Sequence, residues 1–483
     1  MEVLVSSKFY LSGLLSLLCL CLLAGCRSGG EAREVDLLIV GGTVIDPASR
    51  SVVRDAAVAI DAGVIVAAGQ LDARAFKALR TLDASGKFIV PAFVDMHLHW
   101  GTGTFVEGDH VVETTLARSL YYGVTRILNM GSNAASPSEI DGFRSKLAAG
   151  EWQGPKIYAV GSLLTVPSSH PTTTIYSPDV RQRIAEVVAA APASGPIDLM
   201  PLRAVTLLRT PDDARAEVKR LATWGADVIK ITIESGPGPF GDDHPQMPRD
   251  VVQAVVDAAH DAGIPVIAHI SSRDELDVCL DTGVDAAAHA IITGPFDTQL
   301  HRRMGESKFF YSVTLNLYDG FLNWTADPTR MDDPFLRETV TDAEVASTQG
   351  TQRFFERERE YFGRSGLPPI LDHVRAAQQA GAILLTGTDT GNPYAFPGYG
   401  VHEELRLMVA GGVSAMDALA ASSANAARFF KEERQWGSIA PGQEADLLVL
   451  DGDPLADIAN TRRIVQVIQR GQPVDRSRLK IAL

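Results

Sequence analysis

Five residues of metal-ligand type and one lysine stand at or inside the ends of apolar runs. Val94-Asp95-Met96-His97-Leu98-His99 closes one run with histidines at i and i+2, a spacing that puts both imidazoles on the same side of a strand tip. His269 follows Val266-Ile267-Ala268, His289 follows Ala286-Ala287-Ala288, and Asp389 follows Leu384-Leu385-Thr386-Gly387-Thr388. Imidazole nitrogen and carboxylate oxygen both bind divalent ions such as Zn2+. A lone His-x-His is weak evidence, since short histidine pairs also occur in satisfied polar sites; recurrence at several run ends is what points to a metal centre. Lys230 lies within Asp227-Val228-Ile229-Lys230-Ile231-Thr232-Ile233, where an unpaired ammonium is costly to bury. Two compensations are open. One is a carboxylate partner; the other is carboxylation by CO2, which turns the cation into an anionic oxygen ligand able to bridge two ions.

The elements that must position these groups follow one rhythm. An amphipathic helical stretch ends at a glycine, and an apolar β-branched run begins a few residues later, as at Tyr122-Gly123, Trp224-Gly225, Ala262-Gly263, Thr282-Gly283 and Ala380-Gly381. Glycine suits the left-handed position past a helix end, and the run after it suits a parallel strand covered on both faces. Eight such runs occur in order, at residues 88–94, 124–128, 156–160, 228–233, 265–268, 284–288, 308–313 and 382–385. The fold class expected is α/β, a TIM-like (β/α)8 barrel in preference to an open doubly wound sheet, with the ligand-type residues sharing its C-terminal rim. Residues 35–87 and 431–483 read as short alternating strands. Neither set can bury a core alone, so they are expected to pair as a small discontinuous β-sandwich beside a barrel over residues 88–430. A long connection holds an aromatic stretch at 318–324 and a charged helical stretch at 336–362; loops of this length form lids or pockets.

The N-terminus carries a separate message. Residues 9–23 are an almost unbroken apolar run after a short leader with one lysine, closed by Leu23-Ala24-Gly25-Cys26. The run is short for a permanent membrane span and reads as an export signal over residues 1–25. Leu23 to Cys26 resembles a bacterial lipobox, which makes Cys26 the lipid-anchored first mature residue and residues 26–34 a tether. Arg27 after the cysteine resembles lipoproteins sent to the outer membrane, so the expected location is exported, facing the periplasm from the outer membrane or on the cell surface. Of four cysteines only Cys279 lies beyond this segment, which excludes a disulfide scaffold. Lys plus Arg number 44 against 59 Asp plus Glu, a net charge of −15 that repels phosphate backbones and argues against nucleic-acid partners.

Taken together, the Val94 to His99 motif, Gly225-Ala226-Asp227-Val228-Ile229-Lys230, Gly387-Thr388-Asp389 and Glu444-Ala445-Asp446-Leu447-Leu448-Val449 resemble the amidohydrolase superfamily, more narrowly its imidazolonepropionase-like and prolidase-like branch. The resemblance runs from about Val35 to Val474 and implies the same barrel plus sandwich. It implies two divalent ions, expected to be Zn2+: one held by His97, His99, carboxylated Lys230 and Asp389, the other by Lys230, His269 and His289. Imidazolonepropionases work with one metal, and Lys230 argues against that subtype. Two ions would acidify a bridging water for attack on a carbonyl, with Asp389 moving its proton to the departing nitrogen.

His170, in Val166-Pro167-Ser168-Ser169-His170-Pro171, matches the place of a prolidase-like histidine that meets a substrate carboxylate or the oxygen of the intermediate, although the glycines usual around it are absent here. Tyr318, Phe321 and Trp324 are candidate pocket residues, against the plainer reading that they pack the long connection onto the barrel. His402 and Glu403 read as cap or supporting groups, and His110, His244, His260, His301 and His373 as surface or packing residues. The expected activity is hydrolysis of an amide or peptide bond in a small substrate, a dipeptide such as Xaa-Pro or an N-acyl amino acid. The alternatives are a cyclic-amide or lactone hydrolase on the same site and a surface-anchored binding protein without turnover. A homo-oligomer is compatible with either.

Overall fold

The apolar runs pair side by side as a ring of parallel strands. In the computed structural model, which describes residues 32–480 apart from 101–108, 132–135, 200–203, 237–243, 351–355 and 364–365, these are β1 (Phe93–Leu98), β2 (Val124–Asn129), β3 (Lys156–Ala159, resumed as Leu163–Thr165), β4 (Ile229–Thr232), β5 (Val266–His269), β6 (Ala286–Ala288), β7 (Phe310–Ser312) and β8 (Ile383–Leu385). Parallel pairing runs from β1 to β3, from the resumed half of β3 to β4, and onward to β8. The ring closes where the Met96 N–H donates to the Thr386 carbonyl at 2.9 Å and the Thr386 hydroxyl to the Val94 carbonyl at 2.7 Å. Strands buried on both faces have no wet side to alternate with, which is why they read as continuous apolar runs. Val94, Met96, Leu128, Tyr158, Ile267, Ala286, Ala288 and Leu385 fill the interior as one cluster, while a larger cluster joins the outer faces of the strands to the helices.

The helix ahead of β4 shows how each unit is punctuated. Thr210 caps Pro211–Trp224 by accepting from the Asp213 N–H, Pro211 takes the first turn where an N–H is dispensable, and Gly225 ends it at φ 98°. A side chain at that left-handed position would be strained, so the glycine lets the chain turn straight into β4. One addition was not expected. Strands Ile197–Asp198 and Val205–Leu207 form a small hairpin that pairs along the resumed half of β3.

Strands from both chain ends make a second sheet. Arg33–Asp46, Ser51–Asp61, Val64–Gly69, Phe76–Asp83 and Phe88–Pro91 join Leu447–Leu450, Ile464–Gln469 and Gln472–Pro473, the junction being the antiparallel pair of Phe88–Pro91 with Leu447–Leu450. Leu37, Ile39, Val58, Ile60, Ile89, Leu447, Val449 and Ile468 share its core, so neither end folds without the other. Two expected boundaries shift. The run at 88–94 is one apolar stretch in sequence but two strands in space: Phe88–Pro91 belongs to the sandwich and β1 starts at Phe93, the break falling after a proline that has no N–H to extend the ladder. The first strand begins at Arg33, inside the segment read as tether, because Arg33 and Glu34 pair with Phe76 and Lys77. The signal segment and Cys26 lie outside the described residues. Among the described residues no helix is long and apolar enough to cross a membrane.

An ion triad fastens the sandwich to the barrel. Arg126 of β2 is buried, packs over the Trp436 ring, and binds Glu444 at 2.5 Å together with Asp446. Asp446 is buried and also accepts from the Arg470 N–H at 2.6 Å, whereas the Glu444 side chain is 36% exposed. Removing one partner of a buried pair leaves a charge with too little compensation, so Asp446→Ala is expected to lower unfolding free energy by about 3 kcal/mol. Glu444→Ala, at the wetter end, is expected to cost about 1 kcal/mol or less. Urea unfolding of the two variants checks the contrast; equal losses would contradict it.

Candidate metal centre

The strand ends deliver the ligand-type residues to one rim. His97 and His99 come from the tip of β1, Lys230 from β4, His269 from the last position of β5, and His289 from the residue after β6. Asp389 follows β8. Two of these groups sit on unusual backbone: His289 has φ 74° and Asp389 φ 55°. Left-handed conformations outside glycine are strained and collect at functional sites. Hydrogen bonds hold both, from the His289 N–H to Ser312 O and from the Asp389 N–H to His97 O, each at 2.8 Å. Gly387 permits the approach of β8 to its neighbours, because a Cβ there would lie 2.3 Å from Ser312 Oγ and 2.7 Å from His97 Cβ. Behind the rim, buried Asp95 accepts from the N–H groups of His97 and Thr388 at 3.1 and 3.0 Å and from the Thr388 hydroxyl at 2.6 Å. It ties the His-x-His turn to the Asp389 turn, and burial pushes its carboxyl up to about 7.

The geometry is that of ligands facing a common point. Asp389 Oδ1 lies 3.3 Å from His97 Nε2 and 3.2 Å from His99 Nε2, yet this buried oxygen makes no hydrogen bond. Ligand atoms 2.0 to 2.2 Å from one tetrahedral ion stand about 3.3–3.5 Å apart, so the spacing suits a shared cation. Other orphaned atoms surround the same point: Lys230 Nζ and His289 Nε2 are buried without hydrogen-bond partners. The second ring nitrogens of three of the histidines are held instead, while that of His97, Nδ1, is buried without a hydrogen-bond partner. His99 Nδ1 donates to the Gly131 carbonyl, His289 Nδ1 meets Thr314 Oγ1 at 3.0 Å, and His269 Nε2 donates to Glu234 Oε2 at 3.0 Å. Such outer contacts fix the tautomer and aim the remaining lone pair inward. Burial, helped by mutual repulsion and by Lys230, keeps His97 and His289 well below the usual imidazole range and His269 at about 3. They are neutral at physiological pH, the ligating form.

His170 joins the site. Its ring stacks on His269 with centroids 4.5 Å apart, and its Nδ1 lies 2.7 Å from Thr174 Oγ1 and 3.7 Å from Glu234 Oε2. His97, His289 and Asp389 form one potential ligand group, and His170, Glu234 and His269 another. Glu234 was not singled out in the sequence, and its proximity to His269 comes only from the β4–β5 register, in which Thr232 faces His269. His244, read as surface or packing, is buried and its charge would act on both His170 and His269. Tyr318 is buried with its hydroxyl donating to the Ala290 carbonyl at 2.7 Å, one residue from His289, and Asp389 and Glu234 both act on it.

Trp324 is a correction. Its indole N–H donates to Asp319 at 3.1 Å, its ring packs among Tyr394, Phe396 and Tyr399, and it is 1% exposed. It fastens the long connection to the loop after Asp389; Phe321 is likewise buried. His402 and Glu403 are structural. His402 spans from Tyr122 O to Thr461 Oγ1, and Glu403 pairs with Arg330, Arg406 and Arg462. His301 and His373 bond to each other, and His260 to Asp285.

Known proteins carry the same architecture. The model of the amidohydrolase family matches residues 88–474. An ochratoxinase from Aspergillus niger is 22% identical over 441 residues, covering 88% of this chain and 83% of that protein. An imidazolonepropionase from Chloroflexus aggregans is 25% identical over 472 residues, covering 89% and 93%. The crystal structure of a Xaa-Pro dipeptidase with bound methionine superposes with a TM-score of 0.68 at 23% identity, over 91% of this chain and 99% of the other.

Proposed function

The chain belongs to the amidohydrolase family, and from that premise we propose that it is a metal-dependent hydrolase of an amide or peptide bond in a small substrate, a dipeptide such as Xaa-Pro or an N-acyl amino acid. The observation that carries the proposal is Asp389 Oδ1, buried beside two imidazole nitrogens and bonded to neither. His97, His99, Lys230 and Asp389 would hold one divalent ion, and Lys230, His269 and His289 a second, with Zn2+ the ion expected from the nitrogen-rich donor set. Lys230 would serve as a bridging ligand after carboxylation. Its amine is pulled down to about 7 by burial against the opposing charge of Asp389, so much of it is uncharged near neutral pH and able to add CO2. When bound, such ions polarise the scissile carbonyl and lower the pKa of water.

The chain's own groups do the rest. Asp389 accepts the proton released as water attacks and returns it to the departing nitrogen, which could not leave as an amide anion. His170 contacts a polar group of the substrate, either a carboxylate or the oxygen on which charge develops, and Tyr318 braces the His289 turn at the edge of the pocket. For location, the apolar run before Leu23-Ala24-Gly25-Cys26 supports export and lipid anchorage at Cys26.

Metal analysis of the purified protein, combined with a screen of dipeptides and N-acyl amino acids, tests the activity. Expected are about two metal equivalents per chain, loss of hydrolysis on chelation, and recovery with Zn2+. Full metal loading with no cleavage across the panel would favour a binding protein over an enzyme.

A further inference from the structure

Glu234 adds a negative charge to this centre that the ligand set above does not use. It is 1% exposed; one carboxylate oxygen takes the His269 N–H and the other, Oε1, is buried without a hydrogen-bond partner. Among the described residues no lysine or arginine forms an ion pair with it. A buried carboxylate oxygen left unmatched is destabilising, and the most favourable partner it can gain is a charged donor.

We propose that Glu234 Oε1 receives the ammonium group of the substrate, so that the enzyme prefers substrates with a free amine beside the scissile carbonyl over their N-acylated counterparts. This rests on the hydrolase reading of the same site and narrows it, placing dipeptides ahead of N-acyl amino acids.

The test uses the metal-loaded full chain and its Glu234→Gln variant, in which the carboxamide oxygen can still accept from His269 while the charge is gone. Calorimetric binding of L-leucinol is compared with 4-methylpentan-1-ol, which lacks the amine; neither can be hydrolysed. In the parent the amine is expected to tighten binding about ten-fold or more, and in Glu234→Gln the ratio is expected to fall to about two or below. A dipeptide and its Nα-acetyl form should show the same collapse in kcat/KM ratio. A ratio near one in the parent, or one that survives in Glu234→Gln because a metal holds the amine, overturns the proposal. So does a fall in metal content with equal losses on both members of each pair, which would assign Glu234 to holding His269 alone. If neither dipeptide is cleaved while the leucinol preference still depends on Glu234, the ammonium site stands and the hydrolase reading falls.

Discussion

Asp389→Asn is expected to leave a folded, metal-loaded protein whose turnover is lower by about 10³-fold. The fold should survive because what Asp389 gives its loop is backbone: its N–H bonds to His97 O, and its carbonyl accepts from the Asn392 N–H and side-chain amide. Asparagine also tolerates the left-handed φ of 55° better than most residues. The substitution retains an oxygen at the position facing His97 and His99 but removes the negative charge and, with it, the group that takes and returns a proton. Circular dichroism, metal content and single-turnover hydrolysis on one preparation separate these effects. Parent-rate hydrolysis by a fully loaded variant would mean that another group moves the proton, and Glu234 is a further buried carboxylate at the site.

That Asp389 could be found before any coordinates, and Glu234 could not, has a physical cause. Asp389, His269 and His289 stand at exits of apolar runs, and a closed parallel barrel brings all exits to one rim whatever the exact register. The local signal is enough. Glu234 lies in Ile233-Glu234-Ser235, past the end of β4, with no motif around it; only the pairing of Ile229–Thr232 with Val266–His269 sets it against the His269 ring. Asp95 was quoted inside the His-x-His motif but its role depends on Thr388, which is remote in sequence and adjacent only once β8 closes on β1. Trp324 misled in the opposite way. An aromatic-rich insertion suggests a pocket wall, but the buried Asp319 carboxylate, bound by Asn323 and Arg330 as well, claims its indole N–H. The split after Pro91 was hidden because a strand entering the sandwich and a strand entering the barrel are equally apolar.

The lysine yields the sharper test of the metal reading, because its removal should separate stability from function. Lys230→Met keeps the volume of the side chain while deleting a buried amine that has no hydrogen-bond partner. The variant is expected to bind fewer than two metal equivalents and to lose turnover, while its metal-free form is at least as stable as the metal-free parent near neutral pH. The sign follows from proton counting. Burial lowers the Lys230 amine to about 7, against about 10.4 in an unfolded chain. Between these values the unfolded chain binds a proton that the folded one does not, so this group penalises folding below pH 7 and the penalty fades as pH rises toward 10, at up to about 1.4 kcal/mol per pH unit. Asp95 and Glu404, raised by burial to about 7 and 8, act in the opposite sense over the lower part of that range. Only the difference between parent and variant isolates the lysine. Urea unfolding of chelator-treated parent and Lys230→Met from pH 7 to 9.5 should therefore show the variant's advantage shrinking with pH. Bicarbonate should speed reactivation of the metal-free parent by Zn2+ and have no effect on the variant. A Lys230→Met protein that retains two metal equivalents and the parent rate would show that Lys230 is no ligand, and its burial would then need an explanation other than carboxylation.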